Sequence, residues 1–251
     1  MPFFEHGSAK IHYEEAGKGF PLLIIPGGGL NGTIADATTA APIDTFKAFS
    51  NEFRCITLDE RNAKDGQSTG PLEPDRPWGM YADDHLGVLD HLGIDKFLVM
   101  GFCIGGPFIW NLIKHAPDRV VAGVISQPVG FRPEIPDRFA KNFGKVWGEP
   151  MSDKNSDITP DIVATFLDNM FNKPADFVFS VDRDFVKACE TPVLIMPDDT
   201  EGHPYDVAME SAMLAPNAQV SMYPWKDTKE RVPVVERHVR MFLQTHRPNR
   251  S

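Results

Sequence analysis

Short apolar runs alternate along the chain with longer stretches whose apolar positions recur every three or four residues. The runs predict strands over 9–15, 21–25, 53–58, 96–100, 120–126, 192–196 and 218–223. The longer stretches predict helices over 42–50, 78–92, 104–115, 204–214 and 232–245. Strands separated by helices must be joined by crossovers, so the expected fold class is α/β, a mostly parallel, doubly wound sheet covered on both faces. Within 78–92, Leu86, Leu89 and Leu92 recur at three-residue spacing and Gly93 follows as a helix stop, which assigns that stripe to the core.

From about 127 to 191 the regular alternation is interrupted. A connection of that length is too long for a bare loop and reads as a helical insertion, a cap over 131–186 set on a core of 1–130 and 187–251. The insertion is rich in aromatic residues, and a cap above strand ends would give a ligand pocket an apolar, water-poor wall. Most of these rings are expected to pack the cap onto the core, with Phe143 and Trp147 as candidate pocket lining.

Composition narrows the partners. The 251 residues are 42% hydrophobic, enough for a full-sized core, and a formal charge of −10 disfavours nucleic acid and acidic membrane surfaces. A small-molecule substrate is the natural partner, and a homo-oligomer is left open. The chain has no apolar stretch of 18 residues, and Met1-Pro2-Phe3-Phe4-Glu5-His6 lacks the basic, apolar character of a secretion signal, so a cytoplasmic location is expected. Three cysteines without metal-ligand spacing suggest neither a disulfide framework nor a metal site, and no cofactor is implied.

The chemistry concentrates in Gly101-Phe102-Cys103-Ile104-Gly105-Gly106, directly after Phe97-Leu98-Val99-Met100 and before a helical segment. Glycines two residues either side of a central side chain suit a tight turn that lifts that side chain clear of a sheet edge. With cysteine there, the expectation is a nucleophile elbow carrying sulfur, attacking as thiolate and forming an acyl-thioester. The plainer alternative is a small buried cysteine in a glycine-rich turn.

Several segments in the same order resemble the α/β-hydrolase superfamily: 22–29 as the strand entering an oxyanion loop, Asp59-Glu60-Arg61-Asn62 with Gly66 and Ser68, the elbow, and 191–199 as the acid-bearing strand end. The G-x-C-x-G-G elbow is itself similar to that of dienelactone hydrolases, which open a lactone through a Cys-His-Asp triad. The resemblance implies an oxyanion hole from the amides of Ile104 and of Gly28, within Pro26-Gly27-Gly28-Gly29, with Gly29 and Phe102 beside the substrate. It also implies a histidine after the last strand, where this chain has Pro224-Trp225-Lys226-Asp227.

Of the eight histidines, His203 lies in the loop after the strand 192–196, on the edge onto which the elbow opens. It is therefore the candidate base for Cys103, displaced by one loop. Asp199 is the first choice to orient it, Asp198 the second, and Asp227 a third through an exchange of positions between base and acid. Glu60 is a further candidate, holding the cysteine proton or steering a water, unless it pairs with Arg61. The resulting expectation is a hydrolase of ester, lactone or thioester bonds, with activated substrates such as enol-lactones favoured. A non-catalytic binding protein on the same scaffold and an acyltransferase are the alternatives.

Overall fold

The computed structural model describes residues 2–40, 42–155, 157–174 and 176–248. Runs such as Leu22-Leu23-Ile24-Ile25 and Phe97-Leu98-Val99-Met100 are apolar at every position, as central strands covered on both faces require. They lie in a sheet of β1 (Phe3–His6), β2 (Ala9–Ala16), β3 (Phe20–Ile25), β4 (Phe53–Leu58), β5 (Phe97–Phe102), β6 (Val120–Ser126), β7 (Val193–Met196) and β8 (Ala218–Val220). The spatial order is β1-β2-β4-β3-β5-β6-β7-β8. The pairs β1/β2 and β2/β4 are antiparallel and all others parallel, which is the predicted mostly parallel α/β architecture.

Alternate side chains feed two cores. Leu23, Ile25 and Val99 join the cluster under α2 (Pro77–His91) and α3 (Gly105–His115). Leu22, Ile24, Leu98 and Met100 face the other side, against Phe49 of α1 (Thr45–Phe49) and Val235, Val239, Phe242 and Leu243 of α9 (Val232–His246). The spacing of those four residues in α9 is that of one helical face. Between β7 and β8 lies α8 (Tyr205–Leu214).

The long connection from β6 to β7 is a helical cap of α4 (Arg138–Phe143), α5 (Glu149–Lys154), α6 (Pro160–Leu167) and α7 (Arg183–Ala188). Aromatic packing dominates it: Phe139, Phe143 and Phe171 pack against one another at centroid distances of 6.2, 5.6 and 5.6 Å. Trp78 of α2 donates to the Met170 carbonyl at 3.0 Å, and Ser180 to the Pro107 carbonyl at 2.7 Å, tying cap to core.

The departures from the sequence expectation have local causes. The edge strand β1 has no strand signature in the sequence, because Phe3-Phe4-Glu5-His6 is short and half polar. β7 starts at Val193 because Pro192 has no N–H for the ladder, and β8 ends at Val220, ahead of Pro224. The first helix shrinks to Thr45–Phe49, capped by the Asp44 side chain accepting from the Lys47 amide at 3.0 Å. Of Leu86, Leu89 and Leu92 only Leu89 is fully buried; Leu86 and Leu92 lie at the margin of the core, Leu92 just past the end of α2. The boundary drawn after 186 falls inside α7. No described helix is long and apolar enough to cross a membrane.

Candidate active site

The elbow forms where β5, the strand between β3 and β6, meets α3. Cys103 has φ +58°, a left-handed conformation that costs a non-glycine residue about 1–2 kcal/mol and is held here by the turn around it. Its amide donates to Ser126 at 3.0 Å, and its carbonyl accepts from Gly106 and Val129, both at 3.1 Å. The flanking glycines are demanded by the turn: a Cβ on Gly101 would lie 2.9 Å from the Gly105 Cα. The same sheet edge carries the β3 loop with Gly28 and Gly29 and the β7 loop with His203.

These loops enclose a cavity of about 300 Å³ lined by Gly28, Gly29, Cys103, Val129, Arg138, Phe139, Asn142, Phe143, Thr200, Glu201, Gly202 and His203. Cavities of about 600 and 780 Å³ lie elsewhere, but neither has a cysteine or histidine in its wall. The backbone amides of Ile104, Gly29 and Gly28 address the Cys103 sulfur. Gly29 therefore joins the two amide donors expected from sequence. Its φ is +65°, and a Cβ there would fall 2.2 Å from the Phe143 ring, so only glycine lets the cap close onto this loop.

Packing around the sulfur sets its ionisation. Burial pushes the Cys103 pKa up to about 11, outweighing the opposing pull of the amides and of the Lys226 charge. At pH 7 only about one such thiol in 10⁴ is ionised. Among the described residues, no imidazole or carboxylate is hydrogen-bonded to it.

His203 is held through one nitrogen. Its Nδ1 lies 3.2 Å from Asp198 Oδ2 and 3.0 Å from Thr200 Oγ1, and its amide and carbonyl pair with those of Thr200. Among the described residues Nε2 has no hydrogen-bond partner, and the residue lines the cavity. Burial lowers the His203 pKa; Asp198 opposes that shift and the Lys226 charge adds to it, so the ring is neutral at pH 7. For Asp198, burial acts upward, but the hydrogen bond and charge of Lys226, with Nζ 2.8 Å from Oδ2, carry its pKa below the usual value. Lys226 also donates to Gln127 Oε1. The position where the family resemblance calls for a histidine thus carries a cation that clamps Asp198.

Several expected site residues lie elsewhere. Asp199 points outward, 57% exposed and 3.8 Å from Arg132; the carboxylate at His203 is that of its neighbour Asp198. Asp227 is at the surface with Arg231 at 3.2 Å. Glu60 is fully buried beneath α2 with its Oε1 3.2 Å from His85 Nε2, while Arg61 pairs with Asp84; neither the expected Arg61 pairing of Glu60 nor a place in the cavity is found. Phe102 is packed in the core under the sheet, and Trp147 packs on Phe166 and borders a different cavity. Phe143 does line the elbow cavity, as do Phe139, Arg138 and Asn142, which no sequence motif marks. The described residues contain no cluster of three or more His, Cys, Asp or Glu side chains able to hold a metal ion.

A family model described as alpha/beta hydrolase fold matches residues 21–169, more than half of the chain. The chain belongs to the alpha/beta hydrolase fold family. It is 31% identical over 153 residues to haloalkane dehalogenase 2 of Mycobacterium tuberculosis, covering 59% of this chain and 48% of that protein. The chain thus spans about half the length of the curated relatives it matches. A meta-cleavage product hydrolase from Pseudomonas fluorescens IP01, in a serine-to-alanine variant, superposes with TM-score 0.73 at 17% identity over 98% of both chains. An enol-lactonase from Burkholderia xenovorans LB400 gives 0.72 at 17% identity, over 97% of this chain and 100% of the other.

These comparisons correct the chemistry expected of the elbow. The hydrolase relatives work through serine or aspartate nucleophiles, not cysteine, so neither the likeness to a dienelactone-type cysteine elbow nor acyl-thioester catalysis is upheld. The half-buried Cys103 thiol, its pKa raised, agrees: the glycine spacing reported the turn, and the turn does not make its central atom ionise.

Proposed function

We propose that the protein hydrolyses a carboxylic ester or lactone bond of a small molecule in the elbow cavity, with water as the attacking group. One observation carries the reading: a neutral imidazole, steadied through Nδ1 by Asp198, shares a small cavity with the convergent amides of the elbow. His203 Nε2 takes a proton from a water as that water's oxygen bonds to the substrate carbonyl carbon. The carbonyl oxygen, now negative, is received by the amides of Gly28, Gly29 and Ile104. The tetrahedral intermediate then expels the alkoxide, which takes the proton back from the imidazolium, and the acid product leaves.

General-base assistance of this kind contributes about 10²–10⁴-fold and each oxyanion donor about 10²–10³-fold. Asp198 keeps Nδ1 as the protonated nitrogen and steadies the transient imidazolium. The protonated Cys103 thiol forms the cavity floor. Phe139 and Phe143, from a cap taken as 131–186, exclude bulk water above it. A volume of about 300 Å³, that of roughly ten waters, suits a small acyl group. The name enol-lactonase on one fold relative favours this bond class.

The test is turnover of a panel of small aryl esters and lactones by the purified protein, followed by pH-stat. Turnover that falls at least a hundredfold in His203→Ala is expected. Tight ligand binding without turnover on any ester or lactone would instead make the protein a receptor on this scaffold.

A further inference from the structure

Two polar side chains over the cavity have hydrogen-bonding capacity that the protein does not use. Arg138 and Asn142 are four residues apart on α4, hence on one helical face, and both line the wall that contains Cys103 and His203. Arg138 Nη1 is paired with Glu201. Among the described residues, its remaining guanidinium N–H groups and the Asn142 amide have no hydrogen-bond partner. Thr200, its hydroxyl 3.0 Å from His203 Nδ1, lines the same cavity, and Val129, Phe139 and Phe143 add apolar wall.

We infer that this wall is a carboxylate subsite, so that the preferred substrates are small esters or lactones carrying a second, free carboxylate. The inference rests on the hydrolytic reading above and adds the substrate class. A guanidinium presents five donors in a fixed fork, so Nη1 can keep Glu201 while the remaining edge takes a ligand carboxylate and Asn142 donates from one turn further along. The Arg138–Glu201 pair is rim-exposed, with side chains 35% and 64% accessible, and such pairs are weak enough to be shared or displaced. The protein as a whole repels anions at a formal charge of −10, which makes an arginine on this wall a selective feature rather than part of a general basic surface. Glu201 works against the ligand, so its charge tunes the subsite downward.

The experiment compares a monoaryl ester of a six-carbon dicarboxylic acid with the same ester whose distal carboxyl is methylated, uncatalysed hydrolysis being subtracted. Wild-type protein is expected to favour the free acid by about tenfold or more in kcat/KM at low salt, mainly through KM. Arg138→Met should bring that ratio close to one, Arg138→Lys should recover part of it, and Glu201→Gln should increase it. Equal rates on the two esters, or a ratio unchanged in Arg138→Met, overturn the subsite while leaving the hydrolase standing. If neither ester turns over, calorimetric titration with adipate still decides: binding weakened at least tenfold by Arg138→Met supports the subsite, and absent or Arg138-independent binding overturns it.

Discussion

Replacing Gly29 by alanine tests how the cap is seated on the catalytic loop. Two costs can be read from the coordinates. Gly29 has φ +65°, where an L-residue is disfavoured by about 1–2 kcal/mol. The added methyl would also lie 2.2 and 2.3 Å from two Phe143 ring carbons, so the ring has to withdraw by about an ångström. The ring is packed on Phe139 and Phe171, so that withdrawal disturbs the aromatic cluster, and overpacking of that kind costs about 1–3 kcal/mol. The sum is about 2–5 kcal/mol, a large part of the 5–15 kcal/mol that holds a typical domain. Urea unfolding should therefore show a lower midpoint at unchanged slope. Gly28→Ala is the internal control: its φ is +89° but its Cβ would meet nothing closer than 3.4 Å, so the backbone cost alone remains. In a Phe143→Ala background the penalty at Gly29 should shrink by the overpacking share, giving a coupling of about 1–3 kcal/mol. A Gly29→Ala protein with wild-type midpoint, or a penalty untouched by Phe143→Ala, would refute the seating of that ring on this glycine.

Three further outcomes follow from the same geometry. Asp198→Asn should reduce kcat by about 10²–10⁴-fold, whereas Asp199→Asn should change it only a few-fold, which steady-state kinetics on one ester decides. Because burial and the Lys226 charge both lower the His203 pKa, the acid limb of the kcat/KM profile should lie below pH 6.5; Lys226→Met removes a lowering influence and should move that limb to higher pH. Arg61 and Asp84 form a pair with 2% exposure on each side, and Asp84→Ala strips the buried cation of its two-point carboxylate, leaving, among the described residues, only the Glu73 carboxylate at 3.7 Å, so chemical denaturation should register a loss approaching about 3 kcal/mol.

What was legible in the chain is what periodicity and steric necessity write into it. The apolar runs that became β3, β4, β5 and β6 could be read because each is buried on both faces, and the elbow because Gly101 and Gly105 have no room for a side chain. The carboxylate at His203 could not be read with certainty. Asp198 and Asp199 are adjacent, and where the strand ends one side chain turns inward to Lys226 and the other outward to Arg132. Lys226 in the slot of a missing histidine was visible, but its role depends on a contact with Asp198, 28 residues away. Arg138 and Asn142 gave no signal at all, since a polar pair four apart on a short helix is indistinguishable from a solvated face until the cap is folded over the cavity. The largest difference is chemical: the sequence leads to attack by a Cys103 thiolate, whereas the surrounding protein raises the thiol pKa to about 11.

The claim most in need of a direct test is that water, not sulfur, attacks the substrate. The measurement is turnover of the best ester or lactone by Cys103→Ala, paired with intact-protein mass spectrometry of the wild type quenched during turnover. The account predicts kcat within about tenfold of wild type for the variant and no acyl mass on the wild-type chain. Loss of turnover in Cys103→Ala together with an acyl adduct on Cys103 would contradict it.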